Sequence, residues 1–102
     1  MIALVYHALT HNRDLPPFTS AHFALVATVT TLPSDPSASL GAVFEITNHV
    51  DAAWTHNAGV TAHTPHPRST SVGDIVVLLD GSLATAHRCA PVGWVPVDST
   101  GW

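Results

Sequence analysis

One stretch of the chain decides its fold: Arg68-Ser69-Thr70-Ser71-Val72-Gly73-Asp74-Ile75-Val76-Val77-Leu78-Leu79-Asp80-Gly81. It opens with an arginine and three hydroxyl side chains, turns at Gly73-Asp74 and runs into five consecutive apolar residues. An Asp-Gly pair after an apolar run is among the strongest short-range signals for a β-hairpin. We therefore predict a strand over residues 75–79 that turns at Asp80-Gly81 into a second strand.

The residues downstream extend this hairpin into a three-stranded antiparallel meander. Residues 82–90 predict the second strand, Pro91-Val92-Gly93 predicts a turn, and residues 94–97 predict the third strand. Residues 98–102 are expected to form a frayed tail. Trp94 is expected to be half-buried or in the core.

Two strands are predicted upstream. Residues 2–9 form an almost continuous apolar run, and residues 22–31 are rich in apolar and β-branched side chains. The spacing of Phe23, Val26 and Ala27 leaves a helix open as an alternative for the second segment. A strongly apolar first strand at a sheet edge would favour a homodimer.

One helix is predicted over residues 36–48. Asp35 suits the N-cap, and Pro36 suits the first helical position, where a missing N–H costs nothing. Gly41 weakens the helix. The side chains expected to share its buried face are Leu40, Val43, Phe44 and Thr47.

Residues 49–67 are expected to form a long irregular loop, because turn residues and prolines interrupt them. Loops of this length are uncommon and often functional. Trp54 is expected either to pin the loop to the core or to stand exposed. The order of elements predicts a single α+β domain over residues 1–102, with one main helix against a mostly antiparallel sheet.

Composition narrows the classes of function. The chain has 102 residues, of which 46% are hydrophobic and 10% are charged, as in a folded domain rather than a disordered one. It has no lysine, only three arginines and a net charge of −4 with histidines neutral. This balance argues against nucleic-acid binding, which relies on clustered Lys and Arg.

The sequence carries no sign of a membrane location. No apolar run approaches the ~18–20 residues that span a membrane, and the N-terminus lacks the basic region of a signal peptide. The single Cys89 fits a reducing compartment. We expect a cytoplasmic protein without membrane association.

Several segments together resemble the YodL-like small domains of bacterial plasmids, phages and integrated elements. They are Thr47-Asn48-His49 followed by Trp54, the run from Arg68 to Val76, Asp80-Gly81, and Ala90-Pro91-Val92-Gly93-Trp94. The resemblance covers about residues 40–97 and is most specific over residues 68–76. It implies a mobile-element setting in a bacterial cytoplasm and an accessory role such as binding a host or defence protein. It offers no established activity and no set of catalytic residues to carry over to this chain.

The start of the opening stretch allows two interpretations. A guanidinium beside hydroxyls and successive backbone N–H groups can hold a phosphate, and a nucleotide or nucleic-acid module would use Arg68 with Arg13 and Arg88. Alternatively, the hydroxyls cap a turn and Arg68 pairs with Asp74 or a carbonyl. The residues expected to contact a ligand or partner are Arg68, Ser69, Thr70, Ser71, Asp74, Asn48, Trp54 and Trp102.

A zinc site is a further alternative. Imidazole and thiolate ligands could come from His63-Thr64-Pro65-His66 and His87-Arg88-Cys89. The spacing is not that of a standard zinc finger, so no metal and no cofactor is favoured. Cys89 and His87 lie two residues apart on one predicted strand, which is poor geometry for a nucleophile and its base. We therefore expect a non-enzymatic protein that binds another protein or a second copy of itself.

Overall fold

The computed structural model describes residues 1–9, 18–30, 32–48, 54–65 and 67–98. The elements in these ranges are β1 (Ile2–Ala8), β2 (Phe23–Val29), α1 (Pro36–Ile46), a 3₁₀-helix (Trp54–His56), β3 (Val60–Ala62), β4 (Ile75–Asp80), β5 (Leu83–Cys89) and β6 (Trp94–Val97). All strand pairs are antiparallel, and β4, β5 and β6 form a meander. The predicted α+β class, with one main helix against a mostly antiparallel sheet, is confirmed.

The first strand lies in the middle of the sheet and not at an edge, so the condition under which it would favour a homodimer is not met. The six strands follow the order β3-β2-β1-β4-β5-β6, and β1 pairs with both β2 and β4. Its side chains are buried on both faces, with Val5 in one cluster and Tyr6 in the other. A continuous apolar run is what burial on both faces requires, and it therefore indicates a central strand.

The helix covers one face of the sheet. Asp35 caps its start by accepting a hydrogen bond from the backbone N–H of Ala38, as predicted. Leu40 and Val43 are buried against the sheet, together with Trp54. On the opposite face, the second buried cluster consists of Tyr6, Phe18, Phe23, Ile75 and Ala86.

Two expectations for the helix were wrong. It ends at Ile46 rather than at residue 48, because Thr47 already leaves the helical backbone geometry. Phe44 does not join the buried face and is 39% exposed. At 100° per residue, Phe44 projects well to the side of Val43, which is completely buried. No helix in the described ranges is long and apolar enough to cross a membrane.

The predicted irregular loop over residues 49–67 contains regular structure. Residues 60–62 form β3, which pairs with β2 at one edge of the sheet. Three residues between Gly59 and Pro65 are too short for a period-2 pattern to be recognised. Trp54 is only 1% exposed and anchors the segment to the core. The remainder of the prediction, at residues 49–53 and 66, lies outside the described residues, as do tail residues 99–102.

Two glycines with equally open surroundings test the backbone geometry. A Cβ at Gly41 or Gly81 would meet no atom within 4 Å, but only Gly81 has a positive φ, of 61°. We expect Gly41→Ala to stabilise the fold by up to about 1 kcal/mol, because alanine favours a helix. Gly81→Ala should destabilise it by roughly 1–2 kcal/mol, because the left-handed conformation disfavours a side chain. Urea unfolding measures both; changes of the same sign would contradict the assignment.

Candidate functional site

The loop over residues 67–74 connects opposite halves of the sheet. It leaves the β3 side and enters β4 on the far side of β1, so it passes the end of β1. Asp74, the last residue before β4, is 1% exposed. Because a buried carboxylate must be paired and hydrogen-bonded, its partners determine the path of this loop.

Two arginine nitrogens, two backbone N–H groups and, at 3.5 Å, the Ser71 hydroxyl converge on the Asp74 carboxylate. Arg68 approaches it with two nitrogens, Nη1 at 2.5 Å from Oδ2 and Nη2 at 2.7 Å from Oδ1. The backbone N–H of Ala8 donates to Oδ1 at 2.9 Å, and that of Ser71 donates to Oδ2 at 2.8 Å. The Arg68–Asp74 ion pair therefore closes the loop by joining its two ends, and Asp74 also connects the loop to the end of β1.

His7 and Thr70 complete this buried polar network. His7 Nε2 lies 3.0 Å from the Thr70 hydroxyl and 3.9 Å from Asp74 Oδ2. The imidazole also packs edge-on against the Trp54 ring, with 6.2 Å between the ring centroids. Burial lowers the pKa of His7 to about 4, although the negative charge of Asp74 acts in the opposite direction. His7 is therefore an uncharged structural residue at neutral pH.

The network also holds the C-terminal end of the helix in place. The Thr70 N–H donates to the carbonyl of Thr47 at 2.9 Å, and Trp54 Nε1 donates to the Arg68 carbonyl at 2.9 Å. Asn48 donates its side-chain amide to the Phe44 carbonyl. Asn48 thus caps the helix C-terminus, where carbonyls would otherwise lack partners.

The geometry favours the structural interpretation of the opening stretch over an anion site. Arg68 Nη1 and Nη2 donate inwards, to Asp74 and to the carbonyls of Ser69 and Ala8. Thr70, Asp74 and Trp54 are each 1% exposed, so they cannot form a contact surface. Trp102 and Arg13 lie outside the described residues.

Arg88 does not supply an exposed cation either. It is 8% exposed, and its guanidinium carbon lies 5.7 Å from the centre of the Phe23 ring. The nucleotide-binding interpretation required Arg68, Arg13 and Arg88 together. The two arginines in the described part of the chain are turned towards protein groups, so this geometry does not favour it.

The candidate metal ligands are spread over the sheet. His63 lies beside β2, because its backbone N–H donates to the carbonyl of Val26. His87 and Cys89 lie in β5. Because β1 and β4 separate β2 from β5, those two strands lie roughly 14 Å apart. Within the described ranges, no three metal-binding side chains come together. His66 lies outside those ranges.

The thiol of Cys89 is not poised for nucleophilic chemistry. Cys89 is 4% exposed, and burial, with a further contribution from the charge of Asp74, raises its pKa. A raised pKa keeps the thiol protonated, whereas a nucleophilic cysteine needs a lowered one. His87 Nε2 instead lies 2.9 Å from the hydroxyl of Thr85.

An apolar groove lies between α1 and the β5–β6 hairpin, and the sequence did not predict it. Its larger part is a hollow of about 350 Å³. Phe44 lines it from the helix and Trp94 from β6, and Gly41 leaves it open by having no side chain. The other side chains that line this hollow are Glu45, Cys89, Ala90 and Pro91.

A second hollow of about 170 Å³ lies near the start of the helix. Pro36 lines it at the start of α1, and His87 lines it on β5. His87 and Cys89 are alternate residues of β5, so both hollows lie on the face of the sheet that the helix covers. We name the two hollows together the helix–hairpin groove. A glycine three residues before Phe44 in the predicted helix was the available signal, but Gly41 was interpreted only as a weakness of the helix.

The edges of the sheet are poorly suited to pairing with another strand. The Ala90 N–H donates to the Gly93 carbonyl at 3.0 Å. Because bonded pairs alternate in an antiparallel ladder, Trp94 and Pro96 direct their backbone groups towards the free edge. Pro96 has no N–H to donate there, and the opposite edge strand, β3, has only three residues. A partner therefore has to use side-chain contacts.

Comparisons with protein-family models, curated proteins and solved structures found no match.

Asp74→Asn tests whether the polar network is structural. The substitution leaves Arg68 without its countercharge, so we expect the free energy of unfolding to fall by about 3 kcal/mol. Asp80→Asn is the matched control, because Asp80 is exposed and should change stability by less than about 0.5 kcal/mol. Similar small effects of both substitutions in urea unfolding would contradict a structural role.

The pH dependence of stability tests the burial of His7. Its pKa is about 4 in the folded protein and about 6.5 in the unfolded chain. Between these values the unfolded chain binds the extra proton, so acidification should cost up to about 3 kcal/mol of stability. His7→Gln should remove most of this loss, whereas His22→Gln, at an exposed position, should not. Urea unfolding at pH 7.5 and pH 4.5 measures this loss of stability. If His7→Gln loses as much stability between these pH values as the unsubstituted protein, the burial of an uncharged His7 is refuted.

Proposed function

We propose that this chain is a small non-enzymatic protein that binds a partner protein in the helix–hairpin groove. The observation that carries the proposal is the exposed aromatic lining of the groove. Phe44 is 39% exposed on the helix and shares the 350 Å³ hollow with half-buried Trp94. Aromatic side chains are the usual anchors of protein interfaces.

The surroundings of the groove support a protein as its occupant. Val92, in the hairpin turn between the lining residues Pro91 and Gly93, is 92% exposed. An open apolar rim of this kind suits a flat partner surface better than an enclosed small molecule. The proposal therefore moves the contact region away from the loop and hydroxyl stretch to the helix flank.

The biological setting is a separate part of the proposal. The resemblance of residues 40–97 to YodL-like domains supports an accessory role in a mobile element, within the cytoplasm of a bacterial host. The partner in that setting would be a host or defence protein. A homodimer through the same groove is the alternative outcome of the experiment below.

Site-specific crosslinking tests the proposed surface. A photoreactive phenylalanine analogue at position 44 should give a discrete crosslinked protein in cells of the bacterium that carries the gene. Position 25 is the matched control, because Leu25 is 36% exposed but pairs with Tyr6 on the opposite face of the sheet.

A second substitution links the product to the groove. Gly41→Gln adds a helix-compatible side chain where a Cβ meets no atom within 4 Å, so it should fill the groove without unfolding the protein. We expect this substitution to abolish the product at position 44. Identical products from positions 44 and 25, or none from position 44, would refute the proposed surface.

A further inference from the structure

We infer that Glu45 selects the partner: the groove takes a bulky apolar side chain that is accompanied by an arginine or lysine. This inference rests on the proposed function and specifies the chemistry of the occupant. Glu45 lines the same hollow as Phe44 and Trp94 and is exposed. Its carboxylate is the charged group in a lining that is otherwise apolar or uncharged.

The position of Glu45 works against the stability of the helix. It lies in the last turn of α1, which has no basic residue. The C-terminus of a helix carries a partial negative charge, so a carboxylate there is unfavourable and a cation is preferred. A residue that opposes the charge preference of its helix terminus without a structural gain marks a functional position. A bound cation would neutralise both Glu45 and the helix terminus.

No arginine or lysine side chain is among the described residues that line the groove. The chain has no lysine and a net charge of −4. In the described part of the chain, Arg68 is paired with Asp74, and Arg88 is 8% exposed at the ring of Phe23. Burial lowers the pKa of His87, so the nearest imidazole on β5 is uncharged at neutral pH. Charge complementarity therefore favours a basic partner.

Peptide titration followed by NMR tests this chemistry directly. The probes are blocked heptapeptides with a central Leu or Phe and an Arg, Gln or Glu two residues away, on a Ser/Ala background. We expect the Arg peptides to shift the amide resonances of Gly41, Phe44, Cys89 and Trp94, with a Kd at least threefold below that of the Gln peptides. The Glu peptides should bind more weakly still.

Variants of the protein separate recognition from stability. Glu45→Gln should weaken binding of the Arg peptides by about two- to fivefold, while the thermal midpoint stays unchanged or rises. Asp98→Asn, which removes an exposed carboxylate that lines neither hollow, should leave binding unchanged. Glu45→Lys should reverse the preference and favour the Glu peptides.

The possible failures are distinguishable. Equal binding of Arg, Gln and Glu peptides in the groove would overturn the inference and leave the groove as the binding site. Resonance shifts outside the groove, or none with any peptide, would overturn the inference. If the position-44 crosslink were also absent in the protein with Gly41 intact, the proposed function would be overturned as well.

Discussion

The buried carboxylate of Asp74 is the interaction on which this structure depends. A six-stranded sheet with β1 in its centre needs a loop that crosses from the β3 side to β4. Asp74 fixes that loop by accepting hydrogen bonds from Arg68, from the N–H of Ser71 and from the N–H of Ala8. Removing a charge from water is costly, and this convergence of donors offsets that cost. Through Thr70, the same loop reaches the C-terminus of the helix.

The division between structure and function follows from this network. The polar groups of residues 68–74, which the sequence suggested as a ligand site, form hydrogen bonds that hold the loop, the first strand and the helix together. The flank of the helix is different, because Gly41 and Phe44 leave apolar surface open beside Trp94. Glu45 sits there at a helix terminus that would favour the opposite charge. In the described part of the chain, the helix–hairpin groove is therefore where we propose that a partner binds.

Local signals in the sequence were sufficient for much of the fold. Asp35 and Pro36 marked the start of the helix. Apolar runs marked β1, β2 and β4, and the turn residues at 80–81 and 91–93 marked β5 and β6, because these features act through neighbouring residues. The order of the strands, the short β3 and the burial of Trp54 depend on distant pairing and could not be read from local patterns. For the site, Arg68 and Asp74 could be named as possible partners, but which way the guanidinium points is a tertiary property. The groove was missed because it exists only where the helix meets the hairpin.

Native-state hydrogen exchange of the Ser71 amide tests the central claim most directly. Ser71 lies in a loop, where an amide ordinarily exchanges through small local fluctuations. Its N–H donates to the buried Asp74 carboxylate at 2.8 Å, so the account predicts protection equal to that of the Val76 amide in the central part of the sheet, with exchange only through global unfolding. Exchange of Ser71 several orders of magnitude faster than that of Val76 would contradict the claim that Asp74 holds the loop.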